Sequence, residues 1–268
     1  MLEKYESRFE KEEKELTVLL KDSCNGASVL EKKWLRPSVD FAASYDDETG
    51  ELRKEAGRIE WLIKRDPDRK GFGYDFEQYG IYKLLVRKSL YSDNTYMLVR
   101  VLEKDVSNEE LLEYKKHFSR PVLIETGYGQ FELDRAYSWF SAEIELGDFT
   151  PSVYLETDEE DGDTAEGARQ AFLKMADSFV ALDKKNKEYA AQMLLDSANE
   201  WLEDDERENK PERITKEMFM DAIEVSEITV SPDGSITLLY NDGDMFWGHD
   251  IEISIEADGT ISDADIVG

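Results

Sequence analysis

At 268 residues, with 40% hydrophobic and 11% aromatic side chains, the chain can form one large domain or two ordinary ones and bury a real core. That excludes global disorder. A net charge of −29 disfavours binding to a phosphate backbone or to an anionic membrane surface, and it favours a basic partner. One cysteine, Cys24, allows no internal disulfide, and two histidines, His117 and His249, exclude a multi-histidine zinc site. The first residues hold no apolar run suited to a signal peptide, and no stretch approaches the roughly 18 apolar residues of a membrane span. A cytoplasmic protein is therefore expected.

Residues 2–22 predict a helix, because Leu2, Tyr5, Phe9, Leu16, Leu19 and Leu20 recur at three- and four-residue steps and Glu10 precedes Lys14 by four. From about residue 38 the period becomes two. Val39/Phe41, Ile59/Trp61/Ile63, Tyr82/Leu84/Val86 and Met97/Val99/Val101 predict four antiparallel strands in a small sheet or partly open barrel. Lys64, Arg65, Arg69, Lys70, Arg87 and Lys88 form a loose basic group with no motif, as expected of solvated edge strands. Ser107 to His117 predicts a short helix with Ser107 as its cap. Ser119-Arg120-Pro121 stops it, and the charge balance changes there. Residues 1–120 carry 23 Lys/Arg and 25 Asp/Glu, whereas residues 121–268 carry 10 and 37, a net of −27. We place a domain boundary at this point, between 1–120 and 121–268.

If spread evenly over a folded surface of roughly 8,000 Å², that excess would leave charges about 17 Å apart. This exceeds the Debye length of about 8 Å, so an even distribution would be tolerable.

Beyond the boundary, Phe131–Phe140, Ala142–Leu146 and Val153–Leu155 predict a meander joined at 127–129 and 147–148. An acidic loop, 156–167, follows. Aligning Gly162 with the sixth position of an EF-hand puts Thr157 first and Ala168 twelfth, where Asp and Glu are required, so the calcium motif fails. Two helices come next, one with Asp163 as expected cap and Ala168, Phe172, Met175 and Phe179 as its stripe, and one bearing Ala190, Met193, Leu194 and Trp201. A charged linker, 203–211, leads to a short helix capped by Thr215. Residues 225–268 predict four strands with turns at 231–234, 241–244 and 257–259. The expected class is α+β: an N-terminal helix plus small antiparallel sheet or partly open barrel, then a domain of antiparallel meanders with two to three helices.

FELDRAYSWF (131–140), LLDSANEWL (194–202), ITKEMF (214–219) and above all DGDMFWGHDIEI (242–253) make roughly residues 130–268 resemble a bacterial family known as domain of unknown function 2262. The resemblance implies no activity and no catalytic residues.

GxSxG, HExxH, a Walker loop and a complete GxGxxG are missing from the sequence. The densest chemistry is the connection 241–250, with Asp242, Asp244, Trp247, His249 and Asp250 as candidate binding residues. One reading makes Asp242 and Asp244 a carboxylate pair beside His249, able to bind a divalent cation or to do acid–base work. The favoured reading makes Asp242-Gly243 turn chemistry, Phe246 and Trp247 core aromatics, Gly248 a bulge and His249 a ring satisfied by a backbone or carboxylate partner. A further reading makes a half-exposed Trp-Gly-His a recognition spot. No cofactor or metal is expected. The leading functional expectation is a non-catalytic module that binds a basic protein, for example as a neutralising or immunity-type partner. The alternative is a divalent-cation-dependent enzyme or small-ligand-binding protein using Asp242, Asp244 and His249.

Overall fold

The computed structural model describes residues 2–24, 26–30, 33–66, 69–159, 162–204 and 210–268. The chain divides into two compact units, Met1–Arg120 and Pro121–Gly268.

The first unit is built on β1 (Lys14–Leu20), β2 (Trp34–Asp46), β3 (Gly57–Glu60), β4 (Ile81–Lys88) and β5 (Thr95–Lys104). β1 pairs antiparallel with both β2 and β4, β4 with β5, and β2 with β3, while β3 and β5 run parallel. The ring closes into a five-stranded barrel. Leu16, Val18, Val39, Phe41, Ile59, Leu84, Val86 and Leu98 fill it. The expected long N-terminal helix is corrected here, since α1 spans only Leu2–Glu6 and the next apolar run is a strand. The reason is burial on both sides of β1. Leu16, Val18 and Leu20 face the barrel interior, whereas Leu19 packs outside with Ala43, Ile81 and Leu111 of α2 (Glu109–Phe118). A strand covered on both faces loses its polar alternation, and short apolar runs of that kind read equally well as helix. Lys14 pairs with Asp46 rather than Glu10. The cap of α2 is Asn108, whose side chain accepts from the Leu111 N–H, and not Ser107. Cys24 is half-buried and donates to the Gly26 carbonyl, and burial pushes its thiol up.

The second unit is one eight-stranded sheet covered on one face by helices. In chain order it comprises β6 (Leu123–Glu125), β7 (Gln130–Asp134), β8 (Trp139–Glu143), β9 (Ser152–Glu156), α3 (Glu166–Ala176), α4 (Phe179–Glu203), α5 (Lys216–Ala222), β10 (Glu224–Val230), β11 (Ile236–Asn241), β12 (Asp250–Ile255) and β13 (Ile261–Val267). The stretch 131–140 is two strands rather than one, with Ser138 in the left-handed region at φ +58° and Asp134 directly opposite Trp139. Two antiparallel meanders, β6–β9 and β10–β13, are joined by a parallel pairing of β9 with β10 across the three helices. Phe131, Phe140, Val153, Leu155, Ile228, Leu238, Ile251 and Ile253 meet Phe172, Phe179, Ala190 and Phe219 in one core. Inside it the Tyr240 hydroxyl donates to Asp183 Oδ1 at 3.0 Å and Lys187 lies 3.5 Å from the other oxygen. Burial, then the Asp183 charge, pushes the Tyr240 hydroxyl far up. Helix α3 is capped by Asp158, from the acidic loop, rather than by Asp163. The Asp158 carboxylate accepts from the N–H groups of Glu166 and Gly167. Thr215 caps α5 as expected. Of the charged linker, residues 205–209 lie outside the described residues. Among the described residues no helix is long and apolar enough to cross a membrane.

Candidate functional site

Strands β11 and β12 bring the candidate residues to one end of the sheet, where Asn241 and Asp250 form the last register pair. The loop between them, 242–249, is organised by Asp242. Its carboxylate is buried and accepts from the backbone N–H groups of Asp244 at 3.0 Å, Phe246 at 2.6 Å and Gly248 at 3.1 Å. Three N–H bonds to one carboxylate are turn chemistry, and they leave it poorly placed for a metal or a proton transfer. Gly243 is required as such. Its φ is +57°, and a Cβ there would lie 2.7 Å from the Ala222 carbonyl at the end of α5.

The neighbours diverge. Phe246 is fully buried, with its ring 5.5 Å from Trp201 and 6.4 Å from Phe219. Trp247 turns the other way and is 60% exposed, which corrects its reading as a core aromatic. Its indole centre lies 4.8 Å from that of Trp201 on α4, and His249 sits edge-on to the Trp201 indole at 5.6 Å. Trp247 has φ +59°, a left-handed conformation that costs a bulky residue about 1–2 kcal/mol. Gly248, at φ +85°, belongs to this loop and is not a strand bulge. Asp244 is exposed, and Asp250 points from β12 to the face of the sheet away from the helices. Asp242, Asp244 and His249 therefore do not converge on one point. Among the described residues no group of three or more His, Cys, Asp or Glu side chains is placed to hold a metal ion.

The second feature is the open face of the sheet, which no short sequence motif marks. Its strands carry eleven carboxylates (Glu125, Glu132, Asp134, Glu143, Glu156, Glu224, Glu227, Asp250, Glu252, Asp263 and Asp265) and no Lys or Arg. Strand alternation puts all eleven opposite the helix-covered core, and each is exposed or half-exposed. Of the described cations of this unit, Arg169, Lys174, Lys184, Lys185, Lys187 and Lys216 lie on the helices, Arg135 lies in the turn between β7 and β8, and Lys210 and Arg213 precede α5. Register lines up Glu143, Ser152, Glu227, Leu239, Glu252 and Asp265 in a single row across six strands. At about 4.8 Å between strands, carboxylates in that row are about 5–10 Å apart. Even spreading would have put them about 17 Å apart, whereas the row's spacing is comparable to the Debye length of about 8 Å, so their fields add. Alternation of Asp/Glu with Ile over 250–255 was the signal that could have revealed this face.

These features define a two-unit α+β protein: a small barrel, then a helix-backed sheet with an anionic open face and an aromatic loop at one end. The chain belongs to the family described as "Uncharacterized protein conserved in bacteria (DUF2262)", whose model matches residues 125–266. A second family model, "Domain of unknown function (DUF7021)", matches residues 1–118. No curated protein and no solved structure matches the chain.

Proposed function

We propose that this is a non-catalytic interaction protein whose C-terminal unit binds a basic protein surface, as a neutralising or immunity-type partner would. The observation that supports it is the segregation of charge, with eleven carboxylates and no cation on the strands of an exposed sheet face. Such a face raises the local concentration of cationic partners and speeds their association, and it repels nucleic acid and anionic membranes. The alternative, a divalent-cation enzyme or ligand-binding protein at Asp242, Asp244 and His249, has less support, because the Asp242 oxygens are already engaged by the loop backbone. A cytoplasmic setting fits a chain with the single cysteine Cys24.

Crosslinking in the source cell followed by pull-down tests the reading. The expected result is a basic protein that rebinds the purified chain at low salt and is released as salt rises. Recovery of no partner, or of one whose binding ignores salt, would overturn it.

A further inference from the structure

We infer that Trp247 is the contact point for a cationic side chain, an arginine or lysine of the basic partner. This rests on the interaction reading above and gives it a specific residue. The inference comes from elimination. The loop has four left-handed positions, at Gly243, Asp244, Trp247 and Gly248, and the other three carry residue types that suit them. Neither the backbone at 247 nor the core calls for tryptophan, since φ is +59° and the ring is 60% exposed. Gly or Asn would serve the turn better.

The ring is nevertheless held in place. Asp242 fixes the loop through three backbone hydrogen bonds, and the Trp201 indole lies 4.8 Å from that of Trp247. An exposed tryptophan on a rigid support is the usual composition of an interface hot spot. The face of an indole is the negative end of its quadrupole and favours a guanidinium or ammonium group above it. The loop also leaves the sheet between Asn241 and Asp250, which stand in register with Glu224 at the end of the anionic face. The Trp247 ring leans on Trp201 of α4, at the helix-covered side of this sheet end, with Glu224 and Asp250 on the strand ends beside the loop. The excess of carboxylates over cations in this unit raises the local concentration of cationic groups around the ring.

The test uses the full-length chain, isotope-labelled, and a short oligo-arginine peptide, with an oligo-glutamate peptide as control. Indole N–H resonances are followed by NMR, and the Trp247 signal is identified by its loss in Trp247→Asn, a variant that suits the left-handed turn. We expect the oligo-arginine peptide to shift the Trp247 resonance. Trp247→Asn should bind about tenfold more weakly at an unchanged salt dependence and an unchanged or higher melting temperature. Peptide binding that leaves the Trp247 resonance unmoved, or equal affinity in Trp247→Asn, would overturn this inference and leave the anionic-face reading standing. A wild-type chain that binds no oligo-arginine peptide would overturn both.

Discussion

Glu252 on β12 and Asp265 on β13 are direct cross-strand partners on the open face of the sheet, two negative charges held one strand apart. Like charges in this position are destabilising, by about 0.2–1 kcal/mol. The fold tolerates a repulsion that either neutral substitution would remove. Glu252→Gln or Asp265→Asn should therefore raise stability by that amount in urea titrations, and added salt should reduce the gain as it screens the wild-type repulsion. A loss of stability in both variants would mean that the face is not repulsive as arranged.

Asp242 has the opposite role. Replacing it with Ala leaves the N–H groups of Asp244, Phe246 and Gly248 without their acceptor, one of them fully buried. A loss of about 2–4 kcal/mol is expected, measured by chemical denaturation. Asp242→Asn, which keeps one acceptor oxygen, should lose less. Both variants within about half a kcal/mol of wild type would contradict the assignment of Asp242 as the organiser of the loop.

The cap of α3 predicts a pH dependence. Backbone N–H groups, first that of Glu166 and then that of Gly167, hold the Asp158 carboxyl below the ordinary aspartate range. A group whose folded value is depressed contributes stability above its unfolded value of about 3.9 and loses that contribution as pH falls through the folded value. Asp158→Ala should therefore be less stable than wild type at neutral pH, by about 0.5–2 kcal/mol. The difference should vanish in strong acid. A difference that persists there would show that the cap acts through something other than its charge.

In the barrel unit, the Tyr5 hydroxyl is buried and, among the described residues, has no hydrogen-bond partner of normal geometry. Burial first, and the Glu60 carboxylate beside it second, push this hydroxyl far above its usual value, so it is neutral. Tyr5→Phe removes a buried polar atom that makes no hydrogen bond and should leave stability unchanged or raise it. A fall in melting temperature would show that the hydroxyl is bonded to Glu60 in solution.

The strands with one buried face could be read from the sequence. Ile251, Ile253 and Ile255 alternate with Asp250, Glu252 and Ser254, and that alternation is the sheet's division into core and anionic face. Strand β1 was not legible, because Leu19 and its neighbours are buried on opposite sides and no polar period remains. The parallel seam between β9 and β10 was hidden for another reason. It joins Ser152–Leu155 to Glu227–Val230, and no local pattern records a pairing across three helices. The cap of α3 was hidden because its acceptor, Asp158, stands 8 residues before Glu166, whereas the cap of α2 was displaced by a single position, from Ser107 to Asn108. At the candidate site the residue types of 242–250 were evident, but their directions were not. Asp242 turns inward because three N–H groups surround it, and that loop geometry sends Phe246 into the core and Trp247 out.

The central claim is that the anionic sheet face is the binding surface, and calorimetric titration of the crosslinked partner tests it most directly. The titration compares wild type with a variant carrying Glu143→Gln, Glu227→Gln, Glu252→Gln and Asp265→Asn, each over a series of salt concentrations. The account predicts that the neutralised row binds at least about tenfold more weakly at low salt, with a flatter salt dependence and no loss of fold stability. Equal affinity and an equal salt slope in the two proteins would contradict it.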